Sequence, residues 1–139
     1  MKSLLYRSIA RSDLKPEVVF EIIEHSSRAN GAKGLTGFLL FHEGRFLQLL
    51  EGPADRLDDL FDTMKADTRH HDVEVLFEGK VARPSFPNWR MRRVATKDSG
   101  AALDTLMHAQ DYPLPRAILA KVVAFLDHDT TSRDRAGVS

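Results

Sequence analysis

Apolar and polar positions alternate along Ser3–Ile9. Leu4, Tyr6 and Ser8 share one face and Leu5, Arg7 and Ile9 the other, which predicts a short strand. Ser12-Asp13 marks a turn, and Pro16 stands where a helix begins. Val18, Val19, Ile22, Ile23 and Ser26 then recur at helical spacing. They predict an amphipathic helix over 15–29 that stops at Asn30-Gly31. Leu35–Phe41 and Arg45–Glu51 predict two antiparallel strands joined by a tight turn at Glu43-Gly44. Gly52-Pro53 breaks the second of them. Asp55 is placed to cap a helix whose apolar face is Leu57, Leu60, Phe61 and Met64. Asp72–Ala82 and Asn88–Ala95 predict two further strands, separated by RPSFP.

The order β-α-β-β-α-β-β predicts an α+β, ferredoxin-like fold: one mixed sheet with two helices on one face. In that arrangement the first and third strands are expected to be adjacent and parallel, which makes Tyr6 and Gln48 neighbours. Two helices leave the second sheet face wet. Ser99–Gln110 and Pro115–Asp127, the latter carrying Ile118, Leu119, Val122, Phe125 and Leu126, are expected to cover it. Asp129–Ser139 is polar and aperiodic and reads as a frayed, disordered tail. The expected organisation is a core over 1–97, a helical cap over 98–128 and the tail over 129–139.

Composition narrows the classes. At 139 residues one domain is expected. The chain has no cysteine, so a disulfide framework, a thiolate metal site and a cysteine nucleophile are all excluded. Twenty basic residues balance twenty acidic ones, which argues against nucleic-acid binding by bulk charge. The apolar runs are too short for a membrane span, and the N-terminal apolar stretch is too short for a leader and alternates like a strand, so no membrane contact and a cytoplasmic location are expected. Six basic residues and no acidic one lie between Lys80 and Lys97. They form either a nucleic-acid patch or, more commonly for such a run, an exposed strand face balanced by the acidic second helix and its flank with Asp55, Asp58, Asp59, Asp62 and Asp67.

Few residues invite chemistry. Gln48 lies mid-strand between Phe46 and Leu50. It is either a strand amide at a solvated edge, or a buried amide placed to bond a ligand or the Tyr6 hydroxyl. Asn30 is either a left-handed helix stop or a ligand contact. Asp67, Arg69, His70 and His71 read as a charged turn, and adjacent histidines diverge too far to hold a metal. Trp89, the single Trp, reads as a core or interface aromatic. No nucleophile elbow, phosphate loop, metal triad or carboxylate pair is present in the sequence.

Four segments together resemble the BLUF family, the blue-light receptors that use FAD: LLYRS, ANGAKGLTGFLLFHEGRFLQLLEG, DTRHHDVEVL and RPSFPNWRM. The spacing agrees as well: Tyr6 to Asn30 is 24 residues, Asn30 to Gln48 is 18, and Gln48 to Trp89 is 41, with Met91 two further on. The resemblance covers residues 2–95 and implies a noncovalently bound flavin on the sheet face carrying Tyr6 and Gln48. FAD is the expected flavin, and FMN and riboflavin also suit the family. Carried over, Asn30 holds the ring's C4 carbonyl and N3 edge, Arg69 reaches the C2 carbonyl, and His70 packs near the ring. Asp67 holds the polar edge or the ribityl side, while Ile22 or Ile23 and Met64 supply apolar walls. Some members carry a basic residue near Thr63 that helps the FAD tail, and Thr63 cannot do so by charge.

The resemblance further implies a mechanism. Gln48 sits between Tyr6 and the flavin N5/O4 edge. Light-driven electron and proton movement from Tyr6, then recombination, leaves the amide rotated or tautomerised. Trp89 and Met91 then exchange which of them lies beside Gln48, and the C-terminal helices pass the change to an unidentified effector protein. Without cysteine a flavin–thiol adduct cannot be the switch. The expectation is a photoreceptor rather than an enzyme, with no effector domain of its own, working as a homodimer or higher assembly. Two readings compete with it: a light-insensitive flavin- or ligand-binding regulatory module of the same fold, and a small enzyme such as an isomerase or acylphosphatase-like hydrolase.

Overall fold

Alternation along the first strand sends its two faces into two different cores. Leu4, Tyr6 and Ala10 join one apolar cluster and Leu5 the other. In the computed structural model, residues 1–13, 15, 18, 21, 25, 34–66, 68 and 70–138 are described, with side chains described to Asp127. Strand β1 (Lys2–Ala10) is followed by helical backbone at Val18, Glu21 and His25, within the expected first helix. Then come β2 (Thr36–His42), β3 (Arg45–Gly52), helix α1 (Ala54–Lys65), β4 (His70–Lys80), β5 (Arg90–Val94), α2 (Ser99–Ala109) and α3 (Arg116–Val138).

The five strands form one mixed sheet in the order β4-β1-β3-β2-β5, the α+β, ferredoxin-like arrangement with an added fifth strand. β1 and β3 are adjacent, as expected, but they run antiparallel. A strand–helix–strand crossover returns the chain so that β2 points the same way as β1, and the hairpin then reverses β3. Only β5, beside β2, adds a parallel pair. The hairpin turn at Glu43-Gly44 has φ values of +49° and +79°, the doubly left-handed form that suits the twist of two-residue hairpins.

Several boundaries differ from expectation for local reasons. Asp55 does not cap α1; it lies in the first turn behind Pro53, where its charge meets the positive end of the helix. α2 is capped instead by Asp98, whose side chain accepts the Ala101 N–H at 3.0 Å. β5 starts only at Arg90, because the Trp89 N–H donates to the Phe86 carbonyl and folds 86–89 into a turn. α3 runs on to Val138, through the stretch read as a frayed tail. No Gly or Pro interrupts the chain between Arg116 and Ala136, and extending a formed helix costs far less than nucleating one.

The sheet separates two cores. On one face, Leu39, Phe46 and Leu50 pack with Leu57, Leu60 and Phe61 of α1. On the other, Phe38, Leu47 and Leu49 meet Leu106 of α2 and Ile118, Val122 and Phe125 of α3, so the C-terminal helices do cover that face. Gly37 lets β2 lie against β3: its φ is +146°, and a Cβ there would stand 1.8 Å from the Leu49 carbonyl oxygen. Gly44 has a left-handed φ but nothing within 4 Å. Gly44→Ala should therefore cost only the backbone strain, about 1–2 kcal/mol, whereas Gly37→Ala should cost more than that. Urea unfolding of the two variants checks the order, and equal losses would contradict it.

Candidate functional site

Tyr6 and Gln48 are paired residues of β1 and β3, and their side chains stand on the face covered by α1. Only 2% of Tyr6 and 1% of Gln48 is exposed, so each polar atom needs a partner. The solvated-edge reading of Gln48 is thereby set aside. The Tyr6 hydroxyl donates to Gln48 Oε1, and Met64 Sδ at the end of α1 lies 3.5 Å from the same hydroxyl. Gln48 Nε2 donates to Met91 Sδ at 3.1 Å. The result is a buried chain, Tyr6–Gln48–Met91, lying across β1, β3 and β5.

Met91 reaches this place through an unusual backbone. Its φ is +66°, rare for a residue with a side chain. Simple alternation would put Trp89 and Met91 on one face. The left-handed turn at Met91 breaks the alternation, so Met91 is buried beside Gln48 while Trp89 packs against the opposite core. There Trp89 stacks on Phe86 with ring centroids 4.9 Å apart and planes 22° apart. Arg92 lies over its ring at 5.1 Å and Arg83 over Tyr112 at 4.7 Å, so part of the basic 80–97 stretch is engaged by aromatic faces.

His70 closes the site from β4. Its Nδ1 lies 2.8 Å from Ser8 Oγ and its Nε2 2.5 Å from the Met64 carbonyl. Its ring stands edge-on to Tyr6 and Phe46, at 6.5 and 6.3 Å. Thr63 points away, with its hydroxyl on the Asp59 carbonyl at 3.1 Å. Ile22, Ile23, Asn30, Asp67 and Arg69 lie outside the described residues. Among those described, the structure brings Tyr6, Gln48, Met64, His70 and Met91 together and leaves Trp89 apart. Three or more His, Asp or Glu side chains do not gather anywhere among the described residues in a way that could hold a metal.

Two residues around the site, and one on the opposite sheet face behind it, were not singled out from sequence. Phe61 packs its ring 5.1 Å from that of Tyr6, and Ser8 holds His70. Glu51, only 1% exposed, accepts from the Ser85 and Phe86 backbone N–H groups at 2.6 and 3.0 Å. Burial pushes its carboxyl above the ordinary range, against the pull of those N–H groups and of the Thr36 hydroxyl. The available signal was a charged residue at an inward strand position next to a buried Leu run.

The Gln48 Nε2 group carries two hydrogens, yet among the described residues its acceptor is a thioether sulfur, a weak one. A buried double donor with so little to bond fits a ligand that presents a carbonyl or ring nitrogen at its edge. The aromatic and thioether groups around it, Tyr6, Phe61, His70 and Met64, suit a flat ring. A flavin meets both requirements.

Comparison with known proteins agrees with this geometry. A family model described as "Sensors of blue-light using FAD", BLUF, matches residues 1–92. The blue light- and temperature-regulated antirepressor BluF of Escherichia coli is 34% identical over 84 residues, 60% of this chain and 21% of that protein. The chain thus spans about a fifth of that relative's length. A solved structure of Klebsiella pneumoniae BlrP1 with FMN and cyclic diGMP superposes with a TM-score of 0.81 at 29% identity, covering 90% of this chain and 34% of the other. The dark-state structure of BlrB, a BLUF protein, superposes at 0.72 with 30% identity, covering 91% and 96%.

His70→Ala should remove two hydrogen bonds that tie β4 to β1 and to the end of α1. With the buried Ser8 hydroxyl left unpaired, a loss of about 1–3 kcal/mol in urea unfolding is expected. A midpoint equal to that of the parent protein would contradict this role.

Proposed function

The chain belongs to the BLUF family, sensors of blue light that use FAD, and from that premise we propose that its switch is the Gln48 amide, set between Tyr6 and Met91. The observation that carries this is the buried Tyr6–Gln48–Met91 chain, in which the Gln48 Nε2 group, among the described residues, donates only to sulfur. A flavin held here would supply absorption of blue light and an electron-accepting excited state.

The chain's own residues do the rest. Tyr6 is the proposed electron and proton donor: its hydroxyl proton already points at Gln48 Oε1, and recombination returns both electron and proton to it, so Tyr6 ends in its starting state. Gln48 is asymmetric, an acceptor at one end and a double donor at the other, so turning the amide over exchanges both patterns. After the turn Nε2 faces the Tyr6 oxygen, and the hydroxyl hydrogen needs another acceptor. Met64 Sδ, 3.5 Å away, is in place to take it. In a dry site each such exchange is worth more than it would be in water. Two arrangements of one amide are thereby separated by a barrier and biased by a local bond change.

FAD is the flavin proposed, with FMN and riboflavin as the alternatives. Asn30 and Arg69 are proposed for the ring carbonyls, Asp67 for the polar edge, His70 and Met64 for the ring surroundings, and Ile22 or Ile23 for the remaining wall. The relatives bear names of an antirepressor and of photoactivated adenylate cyclase subunits, which do different work downstream. For this chain the output proposed is contact with an effector protein through β5, α2 and α3, without catalysis of its own. Association of copies into a dimer or larger assembly is proposed on Ile9 and Val75, apolar residues left 40% and 44% exposed on β1 and β4. Among the described residues no helix is long and apolar enough to cross a membrane, and a cytoplasmic location is proposed.

Tyr6→Phe and Gln48→Leu should keep flavin bound and abolish the light-induced red shift of its absorption. A normal photocycle in either variant would overturn the reading. Asn30→Ala should lower the flavin content of the purified protein, and an unchanged content would remove Asn30 from the site.

A further inference from the structure

Glu51 makes no contact with the Gln48 amide, yet it is the buried carboxylate nearest to it along β3. It lies three residues beyond Gln48 and on the opposite face of the strand, where its partners are a loop's backbone rather than a cation. Oε2 accepts from the Ser85 N–H at 2.6 Å and Oε1 from the Phe86 N–H at 3.0 Å. The Thr36 hydroxyl adds a third bond to Oε1 at 3.2 Å. Two adjacent N–H groups held by one carboxylate fix both the position and the direction of the 85–86 peptide.

That peptide anchors the turn into β5. The Phe86 carbonyl accepts the Trp89 N–H at 3.1 Å, closing a turn through Pro87 and Asn88. The Phe86 ring carries the Trp89 indole. The Trp89 carbonyl accepts the Gly37 N–H at 2.9 Å, which starts the pairing of β5 with β2. Two residues later Met91 turns into the opposite core in its left-handed conformation. From the far side, the Ser85 carbonyl accepts the Asp111 N–H at 2.7 Å, in the link between α2 and α3. The bonds that hold Trp89 on one face and deliver Met91 to the other thus start from the segment that Glu51 holds.

We propose that Glu51 is a positioning residue of the light switch. By clamping the Ser85–Phe86 backbone to β3 it holds Trp89 against the core under α2 and α3 and Met91 beside the Gln48 amide. The proposal rests on the photoreceptor reading and deepens it. For Trp89 to come round to Gln48, the turn at 86–89 must move, which strains the Trp89–Phe86 and Gly37–Trp89 bonds and, through the Phe86 peptide, the bonds to Glu51. The carboxylate therefore acts on the lifetime of the lit state through the loop, without touching the flavin.

The test is Glu51→Gln in the full flavin-loaded chain. The amide puts an N–H2 where one of the two backbone donors now points, so one clamp bond is lost at nearly constant shape. Flavin content and the red shift should persist, while dark recovery changes by at least about threefold. Trp89 is the single Trp, and its dark-state emission should move to the red as its stacking loosens. Recovery and emission equal to those of the parent protein would overturn the proposal, even if the variant is less stable to urea. Should the variant not fold, amide hydrogen exchange at Ser85 and Phe86 in the parent protein decides. Both amides should be protected in the dark and exchange faster under blue light, and equal rates in the two states would overturn the proposal. A parent protein with flavin but no red shift would strike the photoreceptor reading instead, and the dark-state emission would still report on Glu51.

Discussion

The structure depends on the burial of one primary amide between two paired strands. An amide left unsatisfied away from water costs about 1–3 kcal/mol, and Gln48 is almost wholly enclosed. One end is met by the Tyr6 hydroxyl, which the pairing of β1 with β3 places directly opposite. The other end is met, among the described residues, only by sulfur. A stability-driven core would put an aliphatic or aromatic residue here, as it does at the flanking positions Phe46 and Leu50. The half-satisfied amide makes sense as a place kept for a ligand's acceptor and as an element that can be turned over.

The remainder of the fold keeps that element in place. A slip of one residue in β1 against β3 would send Tyr6 to the opposite face and leave Gln48 alone. Leu4 and Leu50 on one face, and Leu5 and Leu49 on the other, hold the register from both sides. The sheet thus acts as a partition. The Tyr6–Gln48 pair lies under α1, and the proposed output surface lies on the far side, on β5, α2 and α3. Met91 and Trp89, two residues apart and on opposite faces, are the point where the partition is crossed.

Much of this was legible in the chain. Alternation in SLLYRSI and RFLQLLE, the Glu43-Gly44 turn and the spacing of Leu57, Leu60, Phe61 and Met64 lead to the strands, the hairpin and α1 directly. The resemblance in LLYRS and GRFLQLLEG marks Tyr6 and Gln48 as partners. The antiparallel direction of β1 against β3 differs from the expected parallel one, because pattern periodicity carries no strand polarity and the crossover geometry has to supply it. The separation of Trp89 from Met91 was hidden for another reason. Alternation assumes extended backbone, and a left-handed Met91 violates it. Glu51 passed unnoticed because a charge at a strand end looks solvated until the 85–86 loop is seen folding over it. The helix through 129–138 ran against composition, which reports solvation and not the ease of extending a helix already formed.

A light-driven change in the bonding of the Gln48 amide can be followed directly, because glutamine side chains can be labelled and told apart. Only Gln48 and Gln110 are present in the chain, and Gln110 accepts the Leu114 N–H at the end of α2, far along the chain from the switch. In a Gln110→Glu background, glutamine labelled with carbon-13 at the side-chain carbonyl reports on Gln48 alone. The light-minus-dark infrared difference spectrum of the flavin-loaded protein should then contain a carbonyl band that shifts with the label and decays with dark recovery. A difference spectrum that shows flavin bands but no label-sensitive carbonyl would contradict the account.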